Sequence, residues 1–268
     1  MVKLIVSDLD DTLLNDELAL SEENIEAVAQ ARERGLIFTF ATGRMYASAL
    51  PFAKQLNLPQ ELPLICYNGA LIQRVSGETI YEAPLSFDLA LDMVRYCASQ
   101  GWTTNVYYKD ELYVSEVNAD VEYYLTIADV PVHAVGDLAV FLQDGEKQPS
   151  KILVVSPLGS HDETLAMLKN RYSDSAYVLQ SKNRFVEMTS LQANKAIALK
   201  WLTEKMGLKM EEVLAIGDSN NDVDMLRTAG IGVAVGNAVS DAKEAADHIT
   251  TSNNEGGVAR AIRDFVLG

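Results

Sequence analysis

Two clusters of carboxylates carry the first chemical signal in this chain. Asp8, Asp10 and Asp11 crowd the segment Asp8-Leu9-Asp10-Asp11-Thr12, and Asp218 and Asp222 crowd Gly217-Asp218-Ser219-Asn220-Asn221-Asp222, far along the sequence. Carboxylates held this close repel one another, and some stay protonated near neutral pH unless a cation shares the site. All-oxygen ligands suit a hard divalent ion, and Mg²⁺ also suits a site that holds phosphate. Alternate residues leaving a strand project the same way, so Asp8 and Asp10 are placed to face one ligand. In that arrangement Asp8 is the candidate nucleophile toward phosphorus. Asp10 is the candidate acid that protonates the leaving oxygen and then the base that deprotonates a water. A metal ion would clamp the attacking carboxylate against a phosphoryl oxygen and offset their repulsion. The competing reading, helix caps and exposed turn carboxylates, suits one such cluster better than two.

A phosphoryl group also needs donors. Ala41-Thr42-Gly43-Arg44 follows an apolar run where a strand meets a helix N-terminus, which gives the Thr42 hydroxyl and the Gly43 amide an anion-binding geometry. The Leu9 amide, the Lys195 ammonium and the Asn221 side chain add to these donors. Three further residues are candidates for touching substrate. Arg44 follows the phosphate loop, where it either contacts substrate or anchors a helix. Asn68, followed by Gly69, reads first as the centre of a type I′ hairpin turn. Arg184 sits with Asn183 in a turn between two strands. Tyr107, Tyr108 and Tyr113 either stack on a sugar ring or pack a sheet. His133, His161 and His248 are scattered and lack metal-ligand spacing.

The elements that must position these residues share one grammar. Leu4-Ile5-Val6, Leu36 to Phe40 and Val213 to Ile216 are short apolar runs that each lead into a polar cluster and then a helical pattern. Runs without polar alternation suit strands buried on both faces, as in a parallel sheet covered by helices. Ser21 can N-cap a helix with Glu22 and Glu23 in its first turn, Arg32 and Arg34 in its last, and Gly35 past its end. The spacing places Ile25, Val28, Ala29 and Arg32 on one face of it. Further helices are expected over about 194–206, 221–229 and 258–266, with a strand over Ile231 to Val235. This alternation predicts a doubly wound α/β fold. All three polar clusters lie at carboxyl ends of strands, where they are expected to meet in one crevice.

The middle of the chain reads differently. Strands over 104–108, 112–114, 151–155, 177–180 and 185–188, with helices after Ser86 and Ser160, suggest a separate α+β domain over 84–188. It interrupts a core formed by 1–83 and 189–268.

Composition bounds the partners. The 268 residues carry 38 acidic against 22 basic side chains and a formal net charge of −16. That field repels nucleic acid and anionic membrane surfaces. No stretch approaches the roughly 20 apolar residues that span a bilayer. Cys66 and Cys97 give neither a disulfide framework nor a metal-binding spacing, which suits a reducing cytoplasm. The expectation is a cytoplasmic protein acting on a small molecule, with its oligomeric state open.

The ordered set of motifs resembles the haloacid dehalogenase superfamily of phosphohydrolases, and within it the Cof-like members with a large cap, which include bacterial sugar phosphatases. The first motif is similar to Asp8-Leu9-Asp10-Asp11-Thr12-Leu13, the second to Ala41-Thr42-Gly43-Arg44, the third to Lys195 and the fourth to Gly217 through Asp222. Tyr67-Asn68-Gly69-Ala70 resembles the hairpin turn that precedes the cap in this branch. The resemblance implies a Rossmann-like core with an inserted α+β cap. It makes Asp8 the nucleophile and a magnesium ligand, and Asp10 the acid/base that also binds metal through its backbone carbonyl. Asp218 completes the metal site, with Ser219 or Asp222 in or next to the shell. Thr42, Gly43, Lys195 and Asn221 hold the phosphate. One departure is Ala196, where the family commonly has glycine. The implied activity is Mg²⁺-dependent hydrolysis of small phosphate monoesters, sugar phosphates first, through an aspartyl-phosphate. A cap of that size would exclude bulky substrates and shield the acyl phosphate. The alternatives are a phosphosugar mutase, and a catalytically weak phosphosugar sensor whose signature would be loss of Asp8, Asp10 or Lys195. All three are present.

Overall fold

Five short strands form one parallel sheet, in which Leu4–Ser7 and Val213–Gly217 are buried throughout while the edge strand His248–Ile249 is exposed. The computed structural model describes residues 1–128 and 130–268. Across the sheet the order is His248–Ile249, Ile231–Ala234, Val213–Gly217, Leu4–Ser7, Ile37–Phe40, and neighbours run parallel throughout. Leu4, Ile5 and Val6 register with Val213, Leu214 and Ala215 on one side and with Ile37, Phe38 and Thr39 on the other. From the inner Leu4–Ser7 strand the chain first steps outward to Ile37–Phe40. It later returns to the opposite flank at Val213–Gly217. That reversal is a topological switch point, where diverging connections leave a crevice at the strands' carboxyl ends. Asp8 and Asp218 stand immediately beyond the two strands that flank it.

The helix Glu22–Glu33 starts on Ser21, whose side chain accepts from the Asn24 amide at 3.2 Å, and ends before Gly35 at φ 84°. Its buried face is not the one expected from apolar spacing. Asn24, Ala27, Val28 and Ala31 are buried, Ala29 is exposed, and Ile25 and Arg32 are half-buried. The cause is polar. The Asn24 side chain donates to Leu13 O at 2.9 Å and accepts from the Ala259 amide at 2.9 Å. It thereby ties the first loop to the helix Gly257–Ile262, and rotates the helix to bring a carboxamide inward. The helix Lys195–Lys205 is capped by Asn194, which accepts from the Ala196 amide at 2.8 Å. The helix expected from about residue 221 begins later, at Val223, because Asp222 is its N-cap residue and points its carboxylate elsewhere.

Pro63–Cys66 and Leu71–Arg74 form an antiparallel hairpin. Its first strand extends the main sheet through the Thr42 amide, which donates to Ile65 O at 2.9 Å. At the tip the Ala70 amide donates to Tyr67 O at 3.1 Å across Asn68 (φ 55°) and Gly69 (φ 100°). Two central residues of positive φ are what a type I′ turn requires.

The chain divides into two compact units, Met1–Ile80 with Asn194–Gly268, and Tyr81–Ala193. The second holds a six-stranded sheet in the order Ala176–Lys182, Phe185–Ser190, Lys151–Val155, Thr103–Tyr108, Glu111–Val114, Val132–Ala134. Helices Phe87–Ser99, Leu138–Gln143 and His161–Tyr172 share a core with one face of it, built around Val94, Cys97, Val106, Ile152, Met188 and Leu168. Burial pushes the Cys97 thiol up to about 12, so it packs as a neutral apolar group. The architecture is thus an α/β, doubly wound, Rossmann-like core interrupted by an α+β unit. Among the described residues, no helix is long and apolar enough to cross a membrane.

Candidate active site

The Asp8 amide extends the central ladder by one step, donating to Ile216 O at 2.9 Å, and this brings the first and fourth motif loops side by side. Lys195 lies between their carboxylates. Its ammonium, fully buried, contacts Asp8 Oδ1 at 2.8 Å and Asp222 Oδ1 at 2.7 Å. The other oxygen of Asp222 accepts from the amides of Asp218 and Ser219, both at 3.1 Å. Asp218 Oδ1 accepts from the Thr12 hydroxyl at 2.7 Å. Asp8, Asp218 and Asp222 present carboxylate oxygens within 4.8 Å of one another.

Three carboxylates around one ammonium leave the buried cluster with two uncompensated negative charges when all are ionised. Burial, followed by the charges of Asp222 and Asp218, raises the Asp8 carboxyl well above its ordinary range, and Lys195 only partly opposes this. Burial and then Asp222 raise Asp218 to about 7. Burial by itself would depress Lys195, but Asp222 and Asp8 outweigh it and hold the ammonium above its usual value. The ammonium stays charged, and the excess negative charge falls on the carboxylates.

The second motif loop leads into the helix Tyr46–Gln55. The fully buried Thr42 accepts from the Arg44 amide at 3.1 Å through its hydroxyl. The hairpin turn grips this loop on both sides of Gly43, since the Asn68 amide donates to Thr42 O and the Tyr67 amide to Arg44 O, each at 2.9 Å. The Arg44 side chain forms a bidentate pair with Asp10, Nε to Oδ2 at 2.8 Å and Nη2 to Oδ1 at 2.6 Å, and lies 5.1 Å from the Phe52 ring centre. It therefore engages the candidate acid/base and its own helix at once. Such forked guanidinium–carboxylate pairs fix orientation as well as charge.

All the candidate residues of the first unit converge on this crevice: Asp8, Leu9, Asp10, Thr42, Gly43, Arg44, Asn68, Lys195, Asp218, Ser219, Asn221 and Asp222. Arg184 belongs to the second unit, where it pairs with Asp120 at 2.5 Å, donates to Ser156 O at 2.9 Å and lies over the Tyr123 ring. In that unit Tyr107 is fully buried, edge-on to Tyr124, and Tyr113 stacks between Phe141 and His133. Thr12 had no role in the sequence reading. It lies in the helical turn Leu9–Leu13, whose kink at Asp11 (φ 55°) no local spacing announces.

The sequence profile of the haloacid dehalogenase-like hydrolases matches residues 5–262. The 5-amino-6-(5-phospho-D-ribitylamino)uracil phosphatase YcsE of Bacillus subtilis is 34% identical, over 99% of this chain and 96% of its own length. A haloacid dehalogenase-like hydrolase from Bacteroides thetaiotaomicron superposes with a TM-score of 0.88 at 31% identity, covering 98% of this chain and 99% of that one. The subclass IIB sugar phosphatase BT4131 superposes at 0.83 with 25% identity, over the full length of both chains. With its motif loops gathered at the switch point of such a core, the chain belongs to the haloacid dehalogenase-like hydrolase family, in its Cof-like branch, and is a phosphoric monoester hydrolase.

Proposed function

We propose that this phosphatase hydrolyses small phosphate monoesters, sugar phosphates first among them, with Mg²⁺ and through an aspartyl-phosphate on Asp8. The observation that carries the reading is the Lys195-bridged cluster of Asp8, Asp218 and Asp222 at the switch point. Its donors are all oxygen, and its excess negative charge asks for one more cation, so the residues present fit Mg²⁺. Asp8 and Asp218 would hold the ion, with the backbone carbonyl of Asp10. Both oxygens of Asp222 are already committed to Lys195 and to two amides, which supports a role for Asp222 next to the shell, as a positioning acid with Ser219, over one in it. When bound, the ion supplies Lewis-acid polarisation of the phosphoryl group and neutralises charge between it and Asp8.

The chain's own residues do the rest. Asp8 forms a bond to phosphorus as the ester P–O bond breaks, and the leaving oxygen takes its proton from Asp10. Ionised Asp10 then takes a proton from water, whose oxygen attacks phosphorus and returns Asp8 as a carboxylate with release of inorganic phosphate. The Thr42 hydroxyl, the Leu9 and Gly43 amides, Lys195 and Asn221 hold the phosphoryl oxygens. Discrimination among leaving groups is assigned to the inserted unit, read as a cap over 84–188. The relatives named above act on a phosphoribityl compound and on sugar phosphates, in keeping with a small phosphorylated metabolite as substrate. Cys66 and Cys97 are free and buried, in keeping with the cytoplasm.

A panel of phosphorylated metabolites, assayed with Mg²⁺ and without added bisphosphate, tests this. Phosphate release from small monoesters, abolished by chelator and restored by Mg²⁺, is expected. Full activity after exhaustive chelation overturns the metal reading, and turnover only with an activating bisphosphate favours a mutase.

Gly217 makes a narrower prediction. A Cβ there would lie 2.6 Å from Asp222 Cβ and Cγ, so glycine is what lets the Asp222 carboxylate reach its amides and Lys195. Gly217→Ala should keep the circular dichroism of the parent and lose activity on the order of 10²-fold, the usual cost of misplacing a site by about 1 Å. A loss of less than twofold in kcat/KM contradicts the positioning role of Asp222.

A further inference from the structure

The Tyr67–Ala70 turn touches three motif loops of the crevice. Its backbone holds Thr42 and Arg44, as described above. A Cβ on Gly69 would lie 2.5 Å from Asn194 O, so the turn also abuts the residue before Lys195. The Asn68 side chain completes the set. Its carboxamide lies against Gly43, where a Cβ would meet Oδ1 at 3.1 Å and Nδ2 at 3.3 Å, and its Oδ1 accepts from Asn221 Nδ2 at 2.8 Å. Asn68 is 5% exposed and adopts φ 55°, ψ 27°, a conformation that asparagine tolerates better than most side chains.

One atom in this arrangement is unsatisfied. Asn221 Oδ1 is buried without a hydrogen-bond partner. An orphaned buried acceptor is disfavoured, and an acceptor is the wrong group to offer a phosphoryl oxygen. Turning both carboxamides end for end keeps their mutual bond, with Asn68 Nδ2 now donating to Asn221 Oδ1. The orphaned acceptor is then satisfied, and the Asn221 NH₂ takes its place, where an anion is the partner it lacks. Only a side chain with a donor and an acceptor at the same reach supports both states.

We propose that Asn68 is a positioning residue of the phosphate site, which orients the Asn221 carboxamide so that its NH₂ faces the bound anion. The inference rests on the reading of this crevice as a phosphoryl site. Gly43 follows from it as well, since a side chain there would displace the Asn68 amide.

Binding of inorganic phosphate and orthovanadate, measured by calorimetry with Mg²⁺ present, tests the proposal without turnover. Asn68→Gly keeps the positive φ and should weaken both anions by about fivefold, the worth of one lost hydrogen bond. Asn68→Asp offers only acceptors, pins Asn221 in the wrong orientation and adds charge, so it should weaken them on the order of a hundredfold. The deciding readout is the cycle with Asn221→Ala. In that background Asn68→Gly should cost nothing further, because the group it orients is gone. Additive losses in the cycle, or Asn68→Asp binding as tightly as the parent, overturn the proposal. Failure of the parent itself to bind either anion overturns the phosphoryl-site reading instead.

Discussion

Asp8→Asn will release no phosphate from an aryl phosphate above background, and in the absence of metal it will be more stable than the parent. The first outcome follows from its proposed chemistry, because a carboxamide cannot attack phosphorus in place of a carboxylate. The second follows from the buried charges. Asp8 shares Lys195 with Asp222 and lies within 4.8 Å of Asp218, so the substitution removes one of two uncompensated charges while its oxygen can still accept from Lys195. Each kcal/mol recovered shifts the melting temperature of a domain this size by about 2–4 °C. Such a gain is the usual sign of a site held together against its own repulsion for the sake of function. Asp10→Asn should behave differently. The nucleophile remains, and an aryl leaving group needs little protonation, so the first step slows less than the second. A loss on the order of 10² to 10⁴ in rate is expected for a missing acid/base, with phosphate accumulating on Asp8. Mass spectrometry of acid-quenched reactions reads this directly. Covalent phosphate on another residue, or turnover by Asp8→Asn at the parent rate, overturns the mechanism.

Sequence patterns made the convergence of the motif loops legible because the constraint behind it is strong. Apolar runs with no polar face, such as Leu4-Ile5-Val6 and Val213 to Ile216, fit only a covered sheet, and polar clusters at their ends then have one place to go. The Ser21 cap was equally legible, since it acts on an amide three residues away. Partner choice was not legible. The sequence names Asp222 as a candidate in or next to a metal shell, but not that both its oxygens are consumed within the protein. It leaves Arg44 undecided between substrate and helix, when the fold gives it Asp10, 34 positions away. Thr12 reaches Asp218 across 206 positions, and Asn221 reaches Asn68 across 153. Such pairs depend on how loops from separate strands stack at one sheet edge, which no local periodicity encodes. Asn24 shows the same limit inside a helix. Apolar counting placed Ala29 on the buried face, and a single carboxamide bridging two segments turned the helix away from it.

Magnesium should stabilise this protein more as pH rises. Asp218, at about 7 in the folded chain, holds its proton more tightly than it does when unfolded, and Asp8 is raised in the same sense. For a carboxyl so raised the sign is opposite to that of an ordinary salt-bridged aspartate. Below the ordinary carboxyl range both states are protonated and folding is indifferent to pH. Between that range and about 7 the unfolded chain has lost this proton and folded Asp218 has not, so stability falls as pH rises, by up to about 1.4 kcal/mol per pH unit from Asp218, with Asp8 acting in the same direction. Above that window Asp218 is ionised in the folded state as well, and its charge adds to the repulsion within the cluster. The proposed magnesium ion needs ionised ligands, so protons would compete with it, and its increment to stability should be small at pH 5 and largest near pH 8. Melting temperatures taken in chelator and in millimolar Mg²⁺ across this range should diverge with increasing pH, the chelated protein falling and the loaded one staying level. Asp218→Asn isolates the cause from the general repulsion of a chain of net charge −16. In that variant the metal-free slope should shrink and the magnesium increment disappear. A slope that the substitution leaves unchanged, or a magnesium increment larger at pH 5 than at pH 8, places the pH dependence outside this cluster and overturns the argument.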